Sequence, residues 1–343
     1  MSPPVGPRRR VPTVSALLLA GVLLLAACGG GDAAPTPTPS ASPVSAAATP
    51  SPTPTPAPVW PLTGLPAPSA ADAASPALVV KIDNTRPAAP QLGLSSADLV
   101  VEELVEGGLT RLAALFQSTM PPVAGPVRSV RTTDAGIALP AGGLLVASGG
   151  AERVLKALGE AGLTVLSGGG NGLSRDHGRP APYNVMLDPA EALAGLPAGA
   201  GVPTGPYLPW GTPPAGRPVA GADVTFSGAH TSRWTWADGT WRLEDDPAAE
   251  GAEFAPTSVL ILYVNARDAG YEDPAGNPVP ETILVDAGAA TLLTAGTAVD
   301  GHWSKASLDA PLVLLDADGA PLRVAPGRVW IELVPPGGGV QLR

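Results

Sequence analysis

The single cysteine of this 343-residue chain, Cys28, ends an apolar N-terminal segment and constrains the architecture more than any other residue. Three arginines, residues 8–10, precede an apolar stretch from Val14 to Ala27, and small residues stand directly before Cys28. A basic region, a short apolar region and small residues at the cut are typical of a signal peptide, and a cysteine at the new N-terminus indicates a bacterial lipoprotein. The stretch is shorter than a typical transmembrane helix. We therefore expect a signal peptide at 1–27 and lipidation of Cys28.

The alternatives are an uncleaved membrane anchor and an ordinary secretory signal with an incidental cysteine. Lipidation would anchor the protein stably, because more than one acyl chain can be attached at Cys28. The mature protein would then have no thiol for a disulfide, a thiolate metal site or a cysteine nucleophile. The expected location is the outer face of the cytoplasmic membrane, with the membrane contacted through lipidated Cys28.

Composition divides the remaining chain into a spacer and two domains. Residues 28–58 are rich in Pro, Thr, Ser and Ala and cannot bury enough surface to fold, so we expect a disordered spacer. Such a tract can also carry O-linked sugar or bind an aromatic groove. A Pro- and Gly-rich interval at 195–221 separates an N-terminal α/β domain, 59–210, from a C-terminal mostly-β domain, 211–343.

The charge of the chain argues against nucleic acid as a partner. The formal net charge is −10, and the signal peptide contains three arginines and no acid, so the mature protein is still more acidic. A global basic surface is therefore absent from the sequence. Non-specific attraction to anionic polymers is also not expected, although a local arginine cluster could bind one anion.

Apolar runs, alternation and turn residues predict an α+β fold. In the first half they predict a strand at 77–82, a β-hairpin over 98–117 around Gly107-Gly108, and a strand–helix–strand unit at 143–166 with parallel strands. In the second half they predict strands and hairpins only. These are a hairpin at 233–243 around Asp238-Gly239, a second around Asp316–Gly319, and strands at 258–265, 282–285, 312–315, 322–324 and 329–334.

Turn-like segments of the first half contain arginines, carboxylates and amides that could converge on an anion. Arginine presents a planar fork that suits carboxylate or phosphate. The candidate ligand-binding residues are Asp83, Asn84, Arg86, Gln91, Glu102, Glu106, Arg111, Arg128, Arg131 and Asn184. The alternative is a network of buried arginine–carboxylate pairs, including Asp98 and Asp134, that fixes loops without any ligand.

Other chemistry has weaker support in the sequence. If 98–106 is a strand, Asp98, Glu102 and Glu106 share one face, and we expect that face to be solvated rather than a pair of catalytic carboxylates. No ordered ligand pattern predicts a metal, no cofactor is expected, and a GxSxG nucleophile elbow is absent. Among the histidines, His177 has the most polar surroundings, although a loop residue without function is the preferred interpretation. Trp234, Trp236 and Trp241 are expected in a core rather than as a sugar-stacking platform.

Several ordered motifs resemble the YerB-like family of bacterial lipoproteins, a two-domain family of unknown function (domain of unknown function 3048). The resemblance covers nearly all of residues 78–335. It rests on Asp83-Asn84-x-Arg86-Pro87, Gln91-x-Gly93-Leu94-Ser95-x-Ala97-Asp98, Glu106-Gly107-Gly108-x-Thr110-Arg111, Gly125-Pro126-x-Arg128-Ser129-x-Arg131, Gly301-x-Trp303-Ser304-Lys305 and Pro326-Gly327-x-x-Trp330-Ile331. It implies a two-domain, envelope-anchored architecture and no reaction. The chain departs from the family at Tyr183, where many members are expected to have histidine.

These observations lead to three functional hypotheses, with catalytic residues unknown. The first is binding of an anionic cell-envelope ligand or partner, such as a cell-wall glycan or peptide or another envelope protein. The second is a cell-wall-directed hydrolase or transferase that uses Glu102 or Asp98 in acid–base catalysis. The third is an envelope scaffold without catalysis.

Overall fold

A mixed eleven-stranded β-sheet organises the protein in the computed structural model, which describes residues 57–343. The predicted signal peptide, Cys28 and the spacer up to residue 56 lie outside the described residues. Within the described range, no helix combines the length and the hydropathy needed to cross a bilayer.

The described residues contain short helices in the first half and strands throughout. The α-helices are α1 (Ala70–Ala73), α2 (Asp134–Ala138), α3 (Glu152–Glu160) and α4 (Pro189–Ala194), and 3-10 turns occupy Arg86–Ala88, Leu94–Ser96, Glu106–Gly108 and Leu139–Ala141. The strands of the first half are β1 (Leu78–Asp83), β2 (Leu99–Leu104), β3 (Thr110–Phe116), β4 (Leu144–Val146), β5 (Thr164–Leu166), β6 (Leu173–Arg175) and β7 (Val185–Leu187).

The second half continues the strand series. Its strands are β8 (Arg217–Pro218), β9 (Gly221–Ser227), β10 (His230–Ala237), β11 (Thr240–Leu243), β12 (Ser258–Tyr263), β13 (Asn265–Glu272), β14 (Pro278–Ile283), β15 (Ala287–Thr294), β16 (Thr297–Ser304), β17 (Val313–Asp316), β18 (Val329–Val334) and β19 (Gly339–Leu342).

The main sheet has the order β17-β16-β15-β12-β18-β2-β3-β1-β4-β5, with β8 paired to β16. Its strands come from both sides of the predicted domain boundary at 210/211, and that boundary stays a prediction. The junction is β18, which runs parallel to β12 on one side and to β2 on the other. A second sheet, in the order β11-β10-β9-β19, and the two-stranded ribbons β13-β14 and β6-β7 complete the β structure.

Both faces of the main sheet are covered, so alternate residues of its central strands enter two different cores. On one side, which we call the helix face, Val79 and Val101 pack with Ile137 of α2 and Leu158 of α3. On the opposite side, the sheet face, side chains such as Val100 pack with the second sheet. A fully buried Val or Leu contributes about 1.5–3 kcal/mol through burial, so these two cores account for much of the fold's stability.

The predicted α+β class and most local elements are confirmed. The predicted hairpins at 98–117 and 233–243 form β2-β3 and β10-β11, and the strand–helix–strand unit forms β4-α3-β5 with parallel strands. The prediction of a hairpin around Asp316–Gly319 is wrong: a turn forms there, but only one isolated bridge follows it, and β17 pairs with β16. The prediction of a strand at 322–324 is wrong: its one isolated bridge joins Val324 to Trp210. The N–H groups of Leu322 and Val324 donate to two different segments, at Leu314 and Pro209, so no continuous ladder forms. The predicted strand at 282–285 ends at Ile283.

Candidate functional site

Charged side chains gather on the helix face where β1 and β2 end and β3 begins. The antiparallel register places Asp83, Arg111 and Glu103 in one row across the three strands. Because side chains alternate along a strand, Lys81 of β1 lies on the same face. Loops after β2 and before α2 add three more charges, and Asp134, the first residue of α2, adds a fourth. We call this set the charged cluster: Lys81, Asp83, Glu103, Glu106, Arg111, Arg128, Arg131 and Asp134.

Glu106 neutralises two of the predicted anion-binding arginines. Its carboxylate accepts Nε of Arg131 at 2.9 Å and Nη2 of Arg111 at 3.2 Å, and it also contacts Nη2 of Arg131. Burial alone would raise the pKa of Glu106, but the Arg131 hydrogen bond and the charges of Arg111 and Arg131 lower it below its usual value. Remaining donors of the two arginines reach the backbone carbonyls of Ser129 and Val130. Arg111 and Arg131 therefore hold the loop at 128–131 in place.

Arg128 is less completely neutralised than its neighbours. Its Nε lies 2.6 Å from Oδ2 of Asp83, and 24% of its side chain is exposed. The Oδ1 atom of Asp83 accepts from the backbone N–H of Thr85 at 2.7 Å and from the Thr85 hydroxyl at 2.5 Å. The guanidinium lies 5.8 Å from the ring centre of Tyr183, a cation–π distance. Arg128 is thus oriented on one side and open on the other.

An ion triad lies deeper in the charged cluster. Nζ of Lys81 is 2.5 Å from Oε1 of Glu103 and 2.8 Å from Oδ1 of Asp134, and all three side chains are fully buried. The other oxygen of Asp134 accepts the backbone N–H of Arg131 at 2.7 Å. Burial raises the pKa of Glu103, and the charge of Lys81 opposes that rise. The sequence analysis did not predict Lys81 and Glu103 as site residues. The single lysine within the apolar run of β1 was an available signal, because a buried lysine needs a buried carboxylate as its partner.

Glu102 faces the opposite side of the sheet, where it meets groups from the second sheet. It accepts from Asn84 Nδ2 at 2.8 Å and from Ser232 Oγ at 3.0 Å, and His230 Nε2 lies 2.6 Å away. Its neighbour on the adjacent strand is Glu332. The predicted solvated face is wrong for Glu102, which is fully buried because β2 is a central strand covered on both sides.

The remaining predicted residues are spread around the cluster. Gln91 is buried and donates to the backbone carbonyl of Asp83 at 2.8 Å. Arg86 is exposed and makes no ion pair within residues 57–343. Asn184 is buried and accepts from Arg175 at 2.7 Å, on the segment that carries Tyr183. Of the predicted residues, the structure therefore brings together Asp83, Gln91, Glu106, Arg111, Arg128 and Arg131. Glu102 and Asn84 belong to the other face.

Asp98 and the histidines have simpler environments. Asp98 is buried and accepts the backbone N–H groups of Gln117 at 2.6 Å and Ser118 at 2.8 Å, which fixes the chain after β3. Burial raises its pKa, and the Ser118 bonds oppose the rise. His177 is exposed in its loop, whereas His230, which sequence reasoning passed over, contacts Glu102.

Two cavities lie apart from the charged cluster. One, of about 40 Å³, is apolar and is bordered by Lys305, whose pKa burial lowers to about 8. The other, of about 290 Å³, is a shallow groove between β14 and the prolines at 335–336. Across residues 57–343, no three His, Cys, Asp or Glu side chains are arranged to hold a metal ion.

Comparisons with known proteins agree with the motifs in the sequence. Residues 62–200 match the N-terminal domain model, and residues 222–331 the C-terminal domain model, of a family described as "Protein of unknown function (DUF3048)". The chain belongs to this family. A 71-residue stretch is 51% identical to YerB of Bacillus subtilis (strain 168), which is described, by name only, as a lipoprotein. That alignment covers 21% of this chain and 21% of the relative, so it spans about a fifth of the relative's length.

The fold of this family has a solved example. The crystal structure of the YerB protein from Bacillus subtilis matches 82% of this chain and 99% of its own chain, with a TM-score of 0.69 and 23% identity. At this identity the likeness concerns the fold alone. The resemblance to the YerB-like family is confirmed by these matches together.

Proposed function

We propose that this chain is a lipid-anchored, extracytoplasmic protein that binds an anionic group of the cell envelope through Arg128 and through Arg86, which follows the Arg128 partner Asp83 by three residues. The N-terminal pattern that ends at Cys28 supports lipidation and a position at the outer face of the cytoplasmic membrane. The lipoprotein name of the Bacillus subtilis relative points in the same direction.

The main support for this proposal is the side of the Arg128 guanidinium that Asp83 does not contact. Oδ2 of Asp83 forms an ion pair with Nε but no hydrogen bond of ordinary geometry, and neither Nη atom has a hydrogen-bond partner within residues 57–343. A guanidinium fixed at Nε presents both Nη atoms in the geometry that a carboxylate or phosphate accepts in a bidentate manner. Thr85 also donates two hydrogen bonds to Asp83, so the carboxylate of Asp83 is stabilised in part without Arg128. The ligand would be a peptide carboxylate, a glycan acid or a phosphate of an envelope polymer.

The other arginines support a narrower site than the sequence suggests. Glu106 takes the side-chain donors that Arg111 and Arg131 would offer an anion, so we assign these two a structural role. Their neutralisation favours one second candidate, a scaffold lipoprotein that binds an envelope protein without a small ligand. The hydrolase hypothesis has less support, because Glu102 and Asp98 are both buried.

Binding of soluble muropeptides and of inorganic phosphate, each measured by titration calorimetry, tests the proposal. Arg128→Lys keeps a cation beside Asp83 but removes the fork, and loss of one charge-assisted hydrogen bond, about 1.5–3 kcal/mol, corresponds to roughly 10–150-fold weaker binding. Arg86→Ala should weaken binding as well. Arg323→Ala is the matched control, because Arg323 is exposed and forms no ion pair in the described part of the chain.

Two results would contradict the proposal. One is that the wild-type protein binds neither muropeptides nor phosphate. The other is that Arg128→Lys binds as tightly as the control. A stoichiometric protein partner recovered from membranes, together with the first result, would favour the scaffold.

A further inference from the structure

Glu102 and Glu332 place two carboxyl groups side by side on the sheet face. They occupy matching positions of the parallel strands β2 and β18, and both side chains are fully buried. Neighbouring strands lie about 4.8 Å apart, so two ionised carboxylates here would repel each other in a medium that screens charge poorly. One of the two must therefore hold a proton over a wide pH range.

The hydrogen bonds indicate which carboxyl group holds it. Glu102 is surrounded by donors from Asn84, Ser232 and His230. Glu332 accepts from Trp234 Nε1 at 2.7 Å, and its second oxygen, Oε2, has no donor within residues 57–343. Burial raises the pKa of Glu332 well above its ordinary value, and the charge of Glu102 raises it further. Burial would also raise the pKa of Glu102, but His230 lowers it below the usual range.

His230 connects this buried pair with solvent. Its side chain is 24% exposed, and its Nε2 faces Glu102. Burial would lower the pKa of His230, but the hydrogen bond and charge of Glu102 raise it. Within residues 57–343, the other side chains beside the pair on the main sheet are the uncharged Thr110 and Trp330. Of the charged side chains on β9 and β10, Asp223 pairs with Arg343 and Arg233 with Asp245.

We propose that Glu102, Glu332 and His230 form a proton-binding site between the two sheets, with Glu332 protonated at neutral pH and His230 exchanging protons with solvent. His230 and Ser232 belong to the second sheet, and the carboxyl groups belong to the main sheet, so the bound proton contributes to the packing of one sheet on the other. This site is independent of the proposed function at Arg128, which lies on the helix face.

The proposal fixes the sign of a pH effect. The folded protein keeps a proton on Glu332 at pH values where the unfolded chain has lost it, and the same holds for His230 above about pH 6.5. Stability therefore falls as pH rises from 6 to 9. Each such proton changes the unfolding constant by up to about tenfold per pH unit. Glu102 is ionised in both states over this range and adds no slope.

Glu332→Gln tests the site, because the amide has the shape of the protonated acid and still donates a hydrogen bond. Infrared spectra at pH 7 should show that the variant has lost the C=O stretch of one protonated carboxylic acid. Urea titrations between pH 6 and 9 should show a shallower loss of stability, by up to about tenfold in the unfolding constant per pH unit. Glu160→Gln is the control, since Glu160 is 69% exposed and should change neither readout.

An unchanged infrared band, or a pH slope equal to that of the wild type, would overturn the proposal. If Glu332→Gln does not fold, the pH slope of His230→Gln tests the site instead. His230 is partly exposed, and its replacement leaves the carboxyl pair in place. That variant should lose the contribution of His230 to the slope, which lies above pH 6.5, and keep the contribution of Glu332. A slope identical to that of Glu160→Gln would exclude the role of His230.

Discussion

Replacement of Lys81 by Met removes the cation that Glu103 and Asp134 share inside the charged cluster. Nζ lies 2.5 Å and 2.8 Å from the two carboxylates, and none of the three side chains has exposed surface. Met keeps the length and flexibility of the lysine stem, so the change is mainly one of charge. Removing one partner of a buried ion pair costs about 3–5 kcal/mol, because the other charge stays in the interior without compensation.

Two carboxylates lose their partner here, so we expect Lys81→Met to lie near the upper end, about 5 kcal/mol at pH 8. Domains of this kind have about 5–15 kcal/mol of stability in total, so the variant would be marginal. Burial raises the pKa of Glu103, and the charge of Lys81 opposes this rise more than the charge of Arg111 does. Without Lys81, Glu103 takes up a proton more readily in the folded state. A raised folded-state pKa costs stability as pH rises above the ordinary glutamate value, so the loss should be smallest near pH 4.

Guanidinium unfolding of the wild type and of Lys81→Met at pH 4, 6 and 8 measures this difference. Lys156→Met is the matched control: Lys156 is 74% exposed and lies 3.8 Å from Glu160, and exposed pairs contribute about 0–1 kcal/mol. Glu103→Gln introduced into Lys81→Met should recover part of the loss, because it removes one uncompensated charge. A loss below about 1 kcal/mol at pH 8, or a loss that does not vary with pH, would refute this reasoning.

Two further substitutions test the backbone and the sheet face. Gly142→Ala should destabilise the protein by more than about 3 kcal/mol, because φ is +98° and a Cβ would collide with the backbone of Gly201. Gly239→Ala is the control: φ is +79° but the space around it is open, so the loss should be about 1 kcal/mol. Equal losses of the two variants in urea unfolding would contradict the steric argument. Trp234→Phe removes the indole N–H that donates to Glu332 and should cost about 1–3 kcal/mol. Thermal unfolding with no shift in Tm would show that this hydrogen bond contributes nothing.

Local chemistry explains why the hairpins could be predicted. Gly107 and Gly108 have φ of +70° and +73°, and Asp238 and Gly239 have φ of +52° and +79°, which are the left-handed values that such turns require. Because the residues that meet these requirements are adjacent in the sequence, the turns could be predicted from it. The strand–helix–strand unit at 143–166 is equally local, because its parallel strands are separated only by α3.

The candidate site depends on contacts between residues that are far apart in the sequence. Alternation along β2 correctly separates Glu102 from Glu103, but it does not tell what covers each face. The partners of Glu102 lie far along the chain: Ser232 is 130 residues away, and Glu332 becomes its neighbour only through the parallel pairing of β2 with β18. Arg128 and Arg111 were predictable as a group, whereas the neutralisation of Arg111 by Glu106 follows from the tight turn at 106–108.

The central position of β18 has a consequence for how the chain reaches its native state. Residues 329–334 fill the gap between β12 and β2, so for a chain that emerges N-terminus first, β2 keeps an unpaired edge until almost all of the sequence is available. Pairings of such long sequence separation form slowly. The first half can therefore complete its sheet only after synthesis has delivered the second, and a chaperone that acts on the emerging protein would meet an open, apolar strand edge.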